Sequence, residues 1–212
     1  MADVMNDDHY FTSPTGRAVY PKLEPGNPDT KFDDDGVYVT QLRISGPEAQ
    51  GFKQAIDDLA QALGRHLVEN EDSFSADDDI RRPYEEEDDG SILFKAKMKA
   101  SGTTRDGETW EREPKLFDAS GTPCPDVEIG GGSEIRVAGS MNPYFVKGPI
   151  GAGISLKLTA VQIISLEEYA VTADTYGFDS VEDGFDASGD EATEDSSDAE
   201  GDSPNAEEDF DF

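Results

Sequence analysis

The chain has 212 residues and carries 48 Asp and Glu against 17 Lys and Arg, a formal charge of −31. Apolar residues make up 35 % of it, below the roughly 45–50 % of an ordinary globular domain, and no stretch approaches the ~20 apolar residues of a membrane-spanning helix. One cysteine, Cys124, excludes an intramolecular disulfide framework, and that cysteine with two distant histidines, His9 and His66, cannot build a structural zinc site. A reducing compartment of the cytosolic type is expected. The N-terminal MADVMNDDHYFTS is acidic and lacks the apolar run of a secretory or transit signal.

In chain order, the stretch from Gly16 to Pro21 reads as an extended segment. GVYVTQLRIS (36–45) alternates and is rich in β-branched and aromatic residues, so it reads as a strand. Ser45 and Pro47 open a helix at about 47–68. Its apolar stripe is Phe52, Ile56, Leu59, Ala60, Leu63 and Leu67, and Lys53, Asp57, Asp58, Gln61 and Arg65 occupy the opposite side. Residues 69–89 then hold 11 acids against Arg81 and Arg82, which predicts a mobile inserted loop. Glu85, Glu87, Asp89 and Gly90 imitate the start of a calcium-binding loop, but Ala96 stands where a bidentate Glu is required.

After this acidic loop (about 69–90), residues 91–117 contain Asp106-Gly107, the strongest short hairpin signal in the chain. A two-residue turn there pairs Arg105 with Glu108, Thr104 with Thr109 and Thr103 with Trp110, on strands at about 92–105 and 108–117. Strands at 133–146 and 153–166 follow a glycine-rich loop, Gly130 to Gly132, and Pro143 marks a bend or an edge in the first of them. Several short strands, one covering helix and Gly/Pro corners define a mainly β chain and suggest a small barrel.

Period two places Lys95, Lys97, Lys99, Ser101, Thr103 and Arg105 on one face of the first hairpin strand, and Ile92, Phe94, Ala96, Met98 and Ala100 on the core face. The partner strand adds Trp110 and Arg112 to the basic side. Cations that track phosphates and a ring that stacks on a base suit single-stranded nucleic acid. Alternating lysines also suit a merely solvated or edge-protecting face, with Trp110 in the core; and with Trp110 and Arg112 on the basic side, Glu111 and Glu113 point to the core side unless the hairpin tip projects past the barrel. Tyr38, Arg43, Tyr144, Phe145 and Lys147 are candidates to extend the basic surface.

Residues 174–212 hold 16 acids and no Lys or Arg, leaving a net of −15 on residues 1–173. Such a segment is expected to be a disordered acidic tail, because it buries too little apolar surface to offset the entropy of ordering it. Phe178-Asp179, Phe185-Asp186 and Phe210-Asp211, with Phe212 at the end, suggest short docking elements for a partner with basic and apolar features. Chemistry motifs are thin: there is no Walker A sequence and no GxGxxG, and GPIGAG (148–153) has neither the spacing nor a lysine. A nuclease-like set such as Asp106, Glu113 and Lys115 is disfavoured, Cys124 reads as an uninvolved thiol and His66 as a surface residue. No enzyme activity and no cofactor are expected.

The run from Ser13 to Ser45, through the heptad of residues from Thr15 to Pro21, Lys31-Phe32 and GVYVTQL, together with GAGISLKLTAVQII (151–164), resembles the phage-encoded single-stranded DNA-binding proteins. The resemblance implies an OB-fold, a five-stranded Greek-key barrel with one covering α-helix, in a DNA-binding domain over residues 1–173 and a tail over 174–212. The ending Glu207, Glu208, Asp209, Phe210, Asp211, Phe212 is similar to the acidic, aromatic-terminated tails of such proteins, which recruit replication or recombination enzymes (a polymerase, helicase or nuclease) and compete with DNA for the groove. It implies a phage protein working in the bacterial host cytoplasm, with no membrane partner; a homo-oligomer is among the assemblies this allows. The rival readings are an acidic DNA mimic or inhibitor that binds a DNA-processing enzyme, and an acidic binder of basic proteins.

Overall fold

The structure, a computed structural model, describes residues 4–5, 7–31 and 33–167. The expected tail, with Glu207 to Phe212, lies outside the described residues. Among the described residues, eleven strands and one helix run in the order β1 (His9–Thr12), β2 (Gly16–Lys22), β3 (Val37–Ile44), α1 (Gly46–Asn70), β4 (Ile80–Arg81), β5 (Tyr84–Glu86), β6 (Ile92–Lys99), β7 (Ser101–Thr103), β8 (Thr109–Glu111), β9 (Lys115–Phe117), β10 (Glu134–Val146) and β11 (Gly151–Ser165).

Five strands close a ring. β2 pairs antiparallel with β3, β3 with β6 and β10 with β11; β6 lies parallel to β11, and β10 returns to β2 through Glu134–Arg17 and Ile135–Gly16. Numbered by their order among the five, the strands run 1-2-3-5-4-1, with the third and fifth parallel. This is the OB-type Greek-key barrel. Closure removes the long free edges that would otherwise template aggregation.

The alternation of each strand sets the interior. On β3, Tyr38, Thr40, Leu42 and Ile44 are buried; on β6, Ile92, Phe94 and Ala96; on β11, Ala152, Ile154, Leu156 and Leu158. Each fully buried Leu, Ile or Phe contributes about 1.5–3 kcal/mol of transfer free energy. Helix α1 carries Pro47 in its first turn, where a missing N–H costs nothing. Its buried residues, Ala49, Phe52, Ile56, Leu59, Ala60, Leu63 and Leu67, form one helical stripe. Phe52 anchors it, 4.9 Å from Phe94 of β6 and 5.4 Å from Phe11 of β1 between ring centroids.

Three expectations change. The acidic insertion is not a bare loop: β4 pairs parallel with β11, and β5 adds to β6 from Tyr84–Phe94 to Glu86–Ile92. Its charge is absorbed locally. Asp57 of α1 accepts from Tyr84 Oη at 2.7 Å and Arg82 Nε at 2.8 Å, and lies 3.1 Å from Lys53 Nζ. The helix side expected to face solvent therefore docks the insertion through Asp57 and Lys53. Second, the hairpin turn has three residues, not two. Thr104 N–H donates to Glu108 O and Gly107 N–H to Thr104 O, with Gly107 at φ +86° in the left-handed region that glycine tolerates. The register slips by one, so Trp110 faces Gly102 and Thr109 faces Thr103. Third, the hairpin breaks into separate strands: a bend at Ala100 ends β6, so β7 and β8 form their own ribbon. Among the described residues, no helix is long and apolar enough to cross a membrane.

Candidate nucleic-acid interface

The outward-facing positions of the ring meet in one cross-strand row. Ser140 of β10 pairs with Lys157 of β11, Lys157 with Lys97 of β6, Lys97 with Val39 of β3, and Val39 with Lys22 of β2. Paired residues in neighbouring strands point to the same side of a sheet. Three lysines thus lie along a single line across the barrel, on the side opposite the buried alternation.

The β7–β8 ribbon leans over this row. β6 gives up its place beside β11 after Lys97, and β9 takes it over, pairing Lys115 with Ala160. The chain between them brings Trp110 and Arg112 to the rim. The result is a groove of about 700 Å3 lined by Lys97, Lys99, Trp110, Arg112, Lys115 and Lys157, with Ser140, Ser155 and Thr159 along its floor.

Trp110 is half-buried. Its ring rests against Gly102, where an added Cβ would meet the indole at 2.6 Å. The Arg112 guanidinium sits 4.3 Å from the ring centroid, a cation–π pairing that holds both groups at the rim. Tyr144, on the same side of β10 as Ser140, lies over Gly153, and a side chain at 153 would collide with its ring. Two aromatic rings packed on glycines and a group of cations around one groove are the kinds of group that base stacking and phosphate neutralisation require.

Acids modulate that charge. Lys99 Nζ lies 3.2 Å from Asp35 and 3.6 Å from Asp33, and its hydrogen bond to Asp35 raises its pKa above the usual lysine value. Glu113 also lines the groove. Glu111 and Glu113 are both exposed, because the ribbon projects past the barrel wall. Among the described residues, Lys97, Lys115 and Lys157 form no ion pair, which leaves their charge available to a ligand.

The candidates read from the sequence divide accordingly. Lys97, Lys99, Trp110 and Arg112 come together in the groove. Lys95 is exposed on the same side of β6, beyond the groove lining, whereas Arg105, expected on the shared basic face, falls in the three-residue turn and is exposed outside the groove lining. Four candidates need correction. Tyr38 is 2 % exposed, and its hydroxyl accepts from Gly26 N–H at 3.1 Å; burial raises its phenol pKa. It cannot reach a base, because it shares the inward parity of Thr40 and Leu42. Phe145 has the opposite parity to Tyr144 and packs edge-on against Phe74 at 5.8 Å. Lys147 is 3.3 Å from Glu71. Arg43 forms a two-pronged pair with Glu87, at 2.6 and 2.9 Å, which neutralises it at the far end of β3.

The sequence reading missed Lys115, Lys157 and Lys22. Lys157 carried a usable signal: in GISLKLT the apolar residues occupy even positions, and Lys157 stands on the odd, outward parity with Ser155 and Thr159. Lys115 did not, since its position depends on β9 crossing to β11.

The ring topology and this surface define an OB-fold barrel with a basic, aromatic groove. A family model described as single-stranded DNA-binding protein, bacteriophage T7, matches residues 24–166. The chain belongs to that family. The single-stranded DNA-binding protein of Escherichia phage T7 is 28 % identical over 198 residues, covering 84 % of this chain and 85 % of its own. That of Enterobacteria phage T3 is 27 % identical over 183 residues, covering 79 % and 78 %. The crystal structure of gp2.5, the single-stranded DNA-binding protein encoded by bacteriophage T7, superposes with a TM-score of 0.68 at 28 % identity, over 85 % of this chain and all of that one. The bacteriophage Enc34 single-stranded DNA-binding protein, solved in complex with single-stranded DNA, shares the fold with a TM-score of 0.53 at 14 % identity, over 75 % of this chain and 88 % of that one.

Proposed function

We propose that this chain is a phage single-stranded DNA-binding protein acting in DNA replication or recombination, and that it holds the strand in the groove beside Trp110. One observation carries the assignment of the site. In a protein of formal charge −31, Lys97, Lys115 and Lys157 stand together around a half-buried indole. Net charge sets only long-range repulsion, which salt screens beyond about 8 Å at physiological ionic strength, so a local cationic groove still attracts a polyanion.

Phosphates would follow the Lys97–Lys157 row and Lys115. Bases would stack on Trp110, with Tyr144 a second platform along the same face. No catalysis is assigned to this surface; the work is binding. The division into a binding domain over residues 1–173 and a tail over 174–212 is part of this proposal. The tail, anionic and tethered to the domain, acts as an intramolecular competitor for the cations, and its final Glu207 to Phe212 dock a polymerase, helicase or nuclease when DNA displaces it. On the same reading the protein acts in the host cytoplasm.

A gel-shift series tests this reading: full-length and tail-less protein, on single- and double-stranded DNA, with and without magnesium. The expected result is retention of single strands without cleavage, tighter in the tail-less form. No retention by either form would favour the DNA-mimic reading and overturn this one.

A further inference from the structure

Tyr20 is the only non-glycine residue with positive φ among the described residues, at +47°. It sits where β2 and β3 fall out of step. Val19 pairs with Gln41 and Lys22 with Val39, so Tyr20 and Pro21 together face the single residue Thr40. That is a β-bulge with its first residue left-handed, a position glycine normally fills. A bulky side chain there is a backbone outlier, of the kind that persists where the surrounding structure enforces it and gathers at functional sites.

The bulge has a geometric result. Thr40 is fully buried, so a regular pairing would turn one of its partners toward the core. Instead Tyr20 is 83 % exposed. Its neighbours across the sheet are the outward residues of the groove row: Lys22 next along β2, then Val39, Lys97 and Lys157. Its phenol is close enough to Arg43 to raise the guanidinium pKa further, behind the larger effect of Glu87. The depression beside Tyr20 is lined by Lys22 together with Glu24 and Glu128, and the two acids disfavour phosphates there, which leaves the Lys22–Lys97 line as the path for a backbone.

We infer that Tyr20, presented by the strained bulge at the β2 end of the Lys22–Lys97–Lys157 row, is a base-stacking platform that extends the single-stranded nucleic-acid path across the barrel from Trp110. This rests on the function proposed above. The strands of a sheet lie about 4.7–4.9 Å apart, so three steps from β11 to β2 set the two ends of the row about 15 Å apart. A strand that follows the row from one end to the other must therefore be several nucleotides long.

The test measures affinity of the full-length protein for labelled oligo-dT of two lengths, about 4 and about 12 nucleotides, within the range of site sizes of such barrels. Tyr20→Ala should weaken binding of the longer strand by about 5- to 20-fold, the size of one lost base stack. Binding of the short one should change less than twofold, and Tyr20→Trp should restore the longer strand. Tyr20→Gly should lose the same affinity while its melting temperature holds or rises, since glycine relieves the left-handed backbone; a purely structural role predicts a fall in melting temperature instead. Equal affinity of Tyr20→Ala and the parent for the longer strand overturns the inference and leaves the groove assignment intact. Failure of the parent protein to bind either strand overturns the functional reading on which the inference rests.

Discussion

Replacing Lys97 with alanine removes the central cation of the row that runs from Lys22 to Ser140, while the inward residues Ala96 and Phe94 that hold β6 in the core are untouched. Lys97 forms no ion pair among the described residues, so the change leaves no stranded carboxylate. Single-strand binding that neutralises Z phosphates has a salt slope of about −0.7Z. Lys97, Lys115 and Lys157 are unpaired among the described residues, and Lys99 is shared with Asp33 and Asp35. With Arg112 they give Z of about 4, hence a slope near −2.8 and a roughly 50-fold loss of affinity between 50 and 200 mM salt. Lys97→Ala should reduce the slope to about −2.1 and the loss over the same range to roughly 20-fold. Fluorescence anisotropy of a labelled oligo-dT at four or five salt concentrations measures both slopes. An unchanged slope in the variant would show that Lys97 meets no phosphate and would refute the path drawn through the groove.

Three further outcomes follow from the geometry. Gly102→Val places carbon where the indole of Trp110 rests, so oligonucleotide affinity should fall about 5- to 50-fold, on the scale of a lost base stack, with a normal melting curve because the ribbon lies outside the core. Deleting residues 174–212 should tighten single-strand binding about 3- to 30-fold at low salt, as expected on removing a tethered competitor, and abolish capture of partner enzymes; gel shift and pull-down check the two effects. Asp57→Asn should lower stability at neutral pH by about 1–3 kcal/mol through lost charge-assisted hydrogen bonds. Burial alone would raise the Asp57 pKa, but bonds from Tyr84, Arg82 and Lys53 outweigh it and hold the carboxyl below its ordinary value of 3.8. The contribution of Asp57 is therefore complete above that value and lost as the pH falls through the lower folded one, so urea melts of parent and variant should converge in acid and differ at neutrality.

Much of the barrel was legible because its strands obey period two. Val37–Ile44, Glu134–Val146 and Gly151–Ser165 fall within a few residues of their sequence-based bounds, and the helix stripe from Phe52 to Leu67 is as read. Pro143 was legible as an edge signal: β1 pairs β10 only as far as Met141, so among the described residues Pro143 has no strand partner on that side. The groove was legible where parity was respected, on β6, and misread where it was not. Tyr38 with Arg43, and Tyr144 with Phe145, are pairs of opposite parity, and only one of each can face outward. Trp110 reached the groove by a different route from the one read. The turn took one more residue than the Asp106-Gly107 signal implies, and the bend at Ala100 re-aimed the ribbon. The acidic insertion was opaque because its order comes from distant partners: Asp57 for Arg82 and Tyr84, Phe145 for Phe74, and the edge of β6 for β5. The bulge at Tyr20 leaves no mark in composition or period.

The chain contains a single tryptophan, so its emission reports on the groove alone. Titrating the full-length protein with unlabelled oligo-dT while following Trp110 fluorescence asks whether the bound strand lies against the indole. Saturable quenching that matches the anisotropy isotherm and is lost in Lys97→Glu is the expected result. Tight binding by anisotropy with unchanged emission would contradict it, because the strand would then lie somewhere other than against Trp110.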